Sequence, residues 1–364
     1  MLGFLRPSAA VSRNAISTST RHNAFISRRF HATPLKAAVA HPITAHGPPP
    51  KAPSASSEFS ERGEQQDVDS VREEVSKLRS AQSSALKKRF WKNVDIKKRD
   101  EDYQVLLDTR PIRTPSKDIL SVPPTKPHLA HAIALEWDVM TTAQQALKNH
   151  LIPLTSMAAR AGDIAQEDAR GERTTRDEII TTAMRYLETD TLLCWVPEKD
   201  AYAVEEADGV DEPRESLREM QVRVASDIMA FLSTKVWPGV EIKPILDSDS
   251  ILPVSQSQAT KDIIKQWISN LQAHDLAALE RGILAAKSLL VAVRLVVEWS
   301  ENFRGIQRPG QKRFGIEEAA EAASLEVKWQ TDMWGEVEDT HDVDKEDLKR
   351  QLGSVIVVVS GETY

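Results

Sequence analysis

LAALERGILAAKSLLVAVRLVVEW, residues 276–299, is the most hydrophobic helical pattern in this 364-residue chain. Charged residues, among them Lys287, Arg294 and Glu298, interrupt it, whereas a membrane-spanning helix has few charges or none. The segment therefore predicts one long helix at the centre of a core, and not a membrane span. The other elements of the fold are expected to pack around this helix.

Helical spacing of apolar residues recurs on both sides of this segment. One apolar stripe, which predicts a single helix entered after Pro127, consists of Leu129, Ile133, Trp137, Met140 and Leu147. Similar patterns predict further helices over residues 157–165, 173–188, 217–231, 263–271 and 316–334. The larger, C-terminal part of the chain is therefore predicted to be helical.

The segment before the helices has the two-residue period of β-strands. Tyr103, Val105 and Leu107 alternate with polar residues, which predicts a strand. Shorter extended pieces are predicted near residues 90–96, 112–115 and 119–122, with a charged turn over residues 97–102. At the other end of the chain, the β-branched run Ser354–Val359 predicts a terminal strand.

Together these patterns predict an α+β fold. A small N-terminal β-rich domain over residues 88–127 is followed by a larger all-α helical domain over residues 128–364, which contains an acidic C-terminal motif. The β-rich part has too few residues to be stable alone.

The N-terminal region has the composition of a targeting segment. Residues 1–57 contain no aspartate or glutamate, and five arginines are spread among serine, threonine and alanine before residue 30. This composition is typical of a mitochondrial transit peptide, which we predict over residues 1–30. Residues 31–87 are rich in proline, serine and charge, which predicts a disordered linker.

Composition also limits the classes of function. The net charge of −7 argues against a general nucleic-acid-binding protein. Cys194 is the only cysteine, which excludes an intramolecular disulfide and a cysteine-based zinc site. The sequence has no G-x-S-x-G, no H-E-x-x-H and no Rossmann fingerprint. We therefore predict neither a cofactor nor an enzymatic activity.

The most unusual local composition lies near the C-terminus. The predicted helix over residues 316–334 ends at Trp334, and Gly335 permits a turn. The next nine residues, EVEDTHDVD over 336–344, contain five carboxylates and one histidine. Such a segment is either a solvated turn or a recognition surface. We interpret it as a recognition surface, and its candidate binding residues are Trp334, Glu336, Glu338, Asp339, His341 and Asp342.

Three of these residues also suit a metal ion. Glu338, His341 and Asp342 have side-chain types that coordinate divalent metals. If the segment is helical, Glu338 lies three residues before His341 and four before Asp342, so the three share one face. A metal-dependent hydrolase of the mitochondrial matrix therefore remains the alternative function.

Several motifs occur in an order that indicates a known family. They are Phe90-Trp91-Lys92, Arg110-Pro-Ile-Arg-Thr-Pro115, Leu129-Ala-x-Ala-Ile-Ala-x-Glu-Trp-Asp138, Pro153-Leu-Thr155 and Trp334-Gly-x-Val-Glu-Asp-x-His-Asp342. Over roughly residues 88–350 the chain resembles the mitochondrial F1-ATPase assembly chaperones that bind the alpha subunit.

The resemblance implies a specific function. It implies a small β-containing domain, a larger helical domain, and a matrix protein that holds unassembled F1 alpha subunit until the beta subunit replaces it. It also implies that an acidic residue near the C-terminus matters for function, and we assign that role to Glu338. We thus expect an ATP-independent chaperone that promotes assembly of the F1 sector of ATP synthase. A structural subunit of the finished ATP synthase is a further possibility.

Overall fold

The described part of the chain begins just before the predicted β-rich segment. The computed structural model describes residues 87–197, 215–247, 252–307, 310, 312–337 and 340–362. Apart from Lys87, the transit peptide and linker predicted over residues 1–87 lie outside the described residues. All described residues fall within one compact unit of the chain, Glu64–Tyr364.

A four-stranded antiparallel sheet opens the described chain. Strands β1 (Val94–Arg99) and β2 (Asp102–Leu107) pair over six residues, from Val94 opposite Leu107 to Arg99 opposite Asp102. The short strands β3 (Arg110–Pro111) and β4 (Ser121–Val122) both pair with β2. The predicted charged turn over residues 97–102 was too long, because β1 continues to Arg99 and only Asp100 and Glu101 form the turn.

Helices make up most of the chain after the sheet, which confirms the predicted α+β class. In chain order they are α1 (Pro127–Asp138), α2 (Pro153–Arg170), α3 (Thr174–Leu187), α4 (Leu217–Phe231), α5 (Gln258–Ser269), α6 (Ala273–Ala286), α7 (Leu289–Trp299), α8 (Ile316–Ala323), α9 (Leu325–Trp334) and α10 (His341–Val359). None of the helices in the described part of the chain has the length and apolar character needed to cross a membrane.

The central apolar segment forms two helices, so the prediction of one long helix was wrong. Helix α6 ends at Ala286, and Lys287 then takes a left-handed conformation with φ of 54°. Ser288 begins the next helix, since its side chain accepts a hydrogen bond from the amide of Val291. The two helices pack closely, because a Cβ on Gly282 would lie only 3.1 Å from the Cβ of Ala292.

A buried carboxylate fixes the start of α7. Asp190 is fully buried and accepts hydrogen bonds from the amides of Leu192 and Leu290, both at 3.0 Å. The second bond satisfies an otherwise unpaired amide in the first turn of α7. Burial raises the pKa of the Asp190 carboxyl to about 6, against the opposing effect of its hydrogen bonds. Asp190 therefore connects the loop after α3 to the central helix pair.

The C-terminal run 354–359 is helical, which corrects the predicted strand. It forms the last turns of α10, and Leu352, Val355, Val358 and Val359 are completely buried there. Spacings of three and four residues place these side chains on one face of a helix. Burial against neighbouring helices outweighs the weak preference of valine for strands, since β-propensity depends on context.

The predicted helix from Leu129 to Leu147 is shorter than its apolar stripe suggested. Helix α1 ends at Asp138, and Leu147 lies in a short 3-10 segment (Ala143–Leu147) with 71% of its surface exposed. Near the end of α1, Glu136 accepts hydrogen bonds from the amides of Leu154 and Thr155 at 2.7 and 2.9 Å. Glu136 therefore caps the first turn of α2 and joins it to the end of α1.

The sheet and the helices share a tryptophan pair. Trp91 is buried, its ring lies 5.3 Å from the ring of Trp137, and its Nε1 donates to the Trp137 carbonyl oxygen at 3.2 Å. Trp137 is half-buried, and its Nε1 donates to Oγ1 of Thr155 at 3.1 Å. The sheet thus packs on α1 in a core continuous with that of the helices. The domain boundary predicted at residue 128 stays a prediction.

Truncation of this pair should destabilise the protein. We expect Trp137→Ala to lower the free energy of unfolding by about 3 kcal/mol, because it removes ring contacts with Trp91 and the bond to Thr155. The measurement is urea unfolding. The matched control is Leu135→Ala on the same helix, where 63% of the side chain is exposed and the change should stay within about 0.5 kcal/mol. Equal effects at both positions would contradict the packing described.

The buried carboxyl of Asp190 should give a distinct pH dependence. Its pKa is raised to about 6, so between about pH 4 and 6 the folded chain holds a proton that the unfolded chain has released. The stability that depends on Asp190 should therefore fall as the pH rises through this window. We expect the wild type to lose on the order of 2–3 kcal/mol relative to Asp190→Asn. Parallel stability curves for the two proteins between pH 4 and 6 would disprove this.

Candidate binding surface

The structure brings several of the predicted recognition residues together at the end of α9. Trp334 is the last residue of this helix, Glu336 lies in the following turn, and His341 and Asp342 are the first residues of α10. Glu338 and Asp339 lie outside the described residues. The exposure and orientation of these residues therefore depend on α9 and α10, the helices on either side of the turn.

The helix predicted over residues 316–334 is divided at Ser324. This residue takes non-helical dihedral angles of −130° and 24°, which separate α8 from α9. The break separates two environments. Helix α8 buries Ala319, Ala320 and Ala322, whereas α9 buries only Leu325. Only the first residue of α9 is buried, and the others are exposed or half-buried.

The turn after α9 has the geometry that the sequence predicted. Gly335 has φ of 89°, a left-handed conformation that favours glycine. The amide of Val337 then donates a hydrogen bond to Nδ1 of His341 at 3.1 Å. This bond requires an unprotonated Nδ1, and it fixes the turn against the first residue of α10. His341 therefore has a structural contact within the turn.

Helix α10 consists of a buried half and an exposed half. From Leu352 onward its side chains enter the core, whereas residues 341–351 are all exposed or half-buried. At the buried end, Nζ of Lys126 donates to the carbonyl oxygens of Val359 and Ser360 at 3.0 and 2.8 Å and pairs with Glu301 at 2.7 Å. The last carbonyls of a helix have no partner within the helix, and a cation is favourable there. Lys126 thus anchors α10.

We call residues 325–350 the acidic arm; the structure describes all of them except Glu338 and Asp339. The arm contains nine acidic and four basic residues, while the whole chain has a net charge of −7. Three of the four cations pair with carboxylates: Lys328 with Asp332 at 3.5 Å, Lys349 with Glu317 at 2.9 Å, and Arg350 with Asp347. Glu336, Asp342, Asp344 and Glu346 form no ion pair with any described residue and are exposed.

Large apolar side chains lie exposed among these charges. Trp334 is 66% exposed, and Val327, Val337 and Val343 are between 45% and 58% exposed. The ring of Trp334 contacts the half-buried Trp329 edge to face, with 6.0 Å between centroids. Exposed apolar residues are individually normal, but several along one short charged arm indicate a contact surface.

The described geometry gives no support to a metal centre. Among the residues with described positions, no group of three or more His, Cys, Asp and Glu side chains is arranged to hold a metal ion. His341 already accepts the amide of Val337 with one ring nitrogen. Glu338, the remaining member of the predicted ligand set, lies outside those positions.

Sequence reasoning missed part of this surface. It assigns no role to Val337 and Val343, although apolar residues within an acidic run are a usable signal. The anchor at Lys126 had no local signal, because its partners lie more than 170 residues away along the chain. Only the folded structure joins these segments.

Two valines of α10 provide a matched test of its division into a buried and an exposed half. Val358→Ala should lower the free energy of unfolding by about 1–2 kcal/mol, because Val358 is fully buried. Val343→Ala should change it by less than about 0.5 kcal/mol, because 56% of Val343 is exposed. Chemical unfolding of both variants measures the difference. Similar losses at the two positions would show that the outer half is packed.

Comparison with known proteins identifies a matching family model and two related sequences. A family model described as ATP12 chaperone protein matches residues 88–233. The chain is 31% identical over 272 residues to the mitochondrial protein atp12 of Schizosaccharomyces pombe, covering 74% of this chain and 81% of that protein. It is 30% identical over 286 residues to the mitochondrial protein ATP12 of Saccharomyces cerevisiae, covering 75% and 84%.

The fold has a solved counterpart. The crystal structure of the Atu1473 protein from Agrobacterium tumefaciens superimposes with a TM-score of 0.52 and 21% identity, over 75% of this chain and 85% of that one. This likeness concerns the fold alone. The sequence matches to the two fungal proteins span most of their length. On that basis the chain belongs to the ATP12 chaperone family.

Proposed function

We propose that this protein is an ATP-independent chaperone that binds the unassembled alpha subunit of F1-ATPase in the mitochondrial matrix and promotes assembly of the F1 sector. The observation that carries the proposal is the acidic arm, where Trp334 and three valines are exposed on a support fixed to the core. Membership of a chaperone family and the mitochondrial names of two relatives support it. The matrix location rests on the acid-free N-terminal sequence.

The arm combines the two properties that a reversible client contact requires. Exposed aromatic and aliphatic side chains supply the contact energy, and tryptophan is enriched among the residues that dominate binding. The surrounding carboxylates orient the client and speed its encounter more than they add affinity. Affinity at a given interface area depends on these few anchoring residues, so a contact of this kind can be strong enough to protect and still be displaced.

The client, by this proposal, is the alpha subunit before its neighbours bind. Such a subunit exposes apolar interface and unpaired strand edges, which promote aggregation. Shielding these surfaces needs complementary shape and charge but no chemical step. Trp334, Glu336, Glu338, Asp339, His341 and Asp342 are the proposed contact residues, and His341 also holds the turn through Val337. The client surface opposite the arm should therefore be basic around an apolar centre.

Aggregation of the client tests the function. The mature protein should suppress aggregation of isolated F1 alpha subunit without nucleotide, and protect isolated beta subunit much less.

Glu338→Lys should weaken alpha binding at least tenfold, because like charges opposed at an interface cost several kcal/mol and about 1.4 kcal/mol is a factor of ten. Glu338→Gln should have a smaller effect. Calorimetric titration and light scattering on the same preparations supply the data.

Two controls separate binding from folding. Glu241→Lys reverses the charge of a side chain that is 77% exposed and lies far along the chain from the arm, and it should bind normally. Melting temperature is measured for every variant. Normal binding by Glu338→Lys, or loss of binding only together with a collapsed melting temperature, would reject the arm as the contact site. Equal protection of alpha and beta subunits would indicate a general holdase instead.

A further inference from the structure

The outer edge of β1 has free backbone groups. Strand β2 has β1 on one side and both β3 and β4 on the other. Among the described residues, no strand pairs with the second side of β1. The sheet therefore ends at β1, and its outward hydrogen-bonding groups are open to a partner.

The register identifies these groups. The amide of Asp108 donates to the carbonyl oxygen of Asn93 at 2.9 Å, which places these two opposed residues at a hydrogen-bonded position of the ladder. In an antiparallel ladder such pairs alternate, so Asp95, Lys97 and Arg99 bond to β2. Val94, Ile96 and Lys98 must then direct their N–H and C=O groups outward. The opposite side of β2 agrees with this assignment, because Val105, opposite Ile96, accepts the amide of Ile112 at 3.0 Å.

The edge lacks most of the features that prevent strand addition. Its six residue pairs run without a bulge, and none of the six residues is proline. Phe90, just before the strand, is 68% exposed. The one protective feature is charge, since Lys97, Lys98 and Arg99 are consecutive and exposed.

The positive charge of this edge favours an acidic partner and disfavours a basic one. Residues 87–118 contain ten Lys and Arg against six Asp and Glu, in a chain with a net charge of −7. Two cationic edges repel each other, so pairing with a second copy of this chain is disfavoured. An extended segment with acidic side chains meets complementary charge and free backbone groups at once. Added strands gain affinity from main-chain hydrogen bonds and specificity from side chains.

We propose that β1 accepts an extended, acidic segment of the client as an additional strand of the sheet. This inference rests on the proposed function, and it adds a second contact of opposite charge to the acidic arm. The client segment would bond to the backbone of Val94, Ile96 and Lys98. Recognition at this edge depends on the partner's charge and extended conformation, and less on its exact sequence.

Amide hydrogen exchange tests the proposal directly. In the free mature protein, the amides of Asp95, Lys97 and Arg99 should exchange slowly and those of Val94, Ile96 and Lys98 rapidly. Saturating F1 alpha subunit should slow the second set at least tenfold, which gives an alternating pattern of new protection. Slow exchange of all six amides in the free protein would show that its own chain covers the edge and would overturn the inference.

A pair of substitutions at one position isolates the backbone contribution. Lys98→Ala removes the charge and the contact with the Tyr103 ring but keeps the outward N–H. Lys98→Pro removes the N–H as well, at an edge position where proline is tolerated. We expect Lys98→Pro to bind alpha subunit about tenfold more weakly than Lys98→Ala at an unchanged melting temperature.

The possible failures are distinguishable. If the wild type binds no alpha subunit, the proposed function fails and this inference fails with it. If the wild type binds but the outward amides stay unprotected, or the alanine and proline variants bind equally, only the edge contact is wrong. A proline variant with a lowered melting temperature is judged by the exchange pattern of the wild-type complex, which requires no substitution.

Discussion

A buried ammonium group joins the start of α1 to the C-terminal end of α10. Lys126 is 3% exposed, yet its Nζ reaches the carbonyl oxygens of Val359 and Ser360 and the carboxylate of Glu301. A buried charge is costly unless it is paired and hydrogen-bonded, and this arrangement provides both kinds of partner. The amide of Glu362 adds a bond to the carbonyl of Thr125 at 2.8 Å. The end of the sheet, the start of α1 and the end of α10 thus meet at one point.

The residues around Lys126 favour one positive charge at this site and not two. His274 is half-buried beside it, and desolvation together with the charge of Lys126 lowers the pKa of this imidazole to about 4. It is therefore neutral at physiological pH. Asp275 is fully buried and accepts hydrogen bonds from Ser300 and Asn302 at 3.0 and 2.8 Å. The bonds from Lys126 hold the C-terminal end of α10 in the core, whereas residues 341–351 at its other end are exposed or half-buried.

The sequence predicted the features that depend on local pattern. The strand at Tyr103–Leu107, the existence of most helices and the turn at Gly335 follow from residue spacing and from glycine's freedom at positive φ. It failed where distant groups decide the outcome. Asp190 and Ser288 together begin α7 inside the segment 276–299, whose apolar spacing predicted one helix. The β-branched tail is helical because the core covers it, and no local signal records that burial.

The candidate surface was predictable to a similar extent. Acid content, Trp334 and the turn indicated a recognition segment, but the division of α10 into halves depends on what packs against residues 352–359. Under the proposed function, this division separates the requirements of stability and recognition within one helix. Substitutions in the buried half affect folding, whereas the outer half can vary its charge with little effect on the core. A chaperone gains from that arrangement, because affinity for its client can change without loss of the fold.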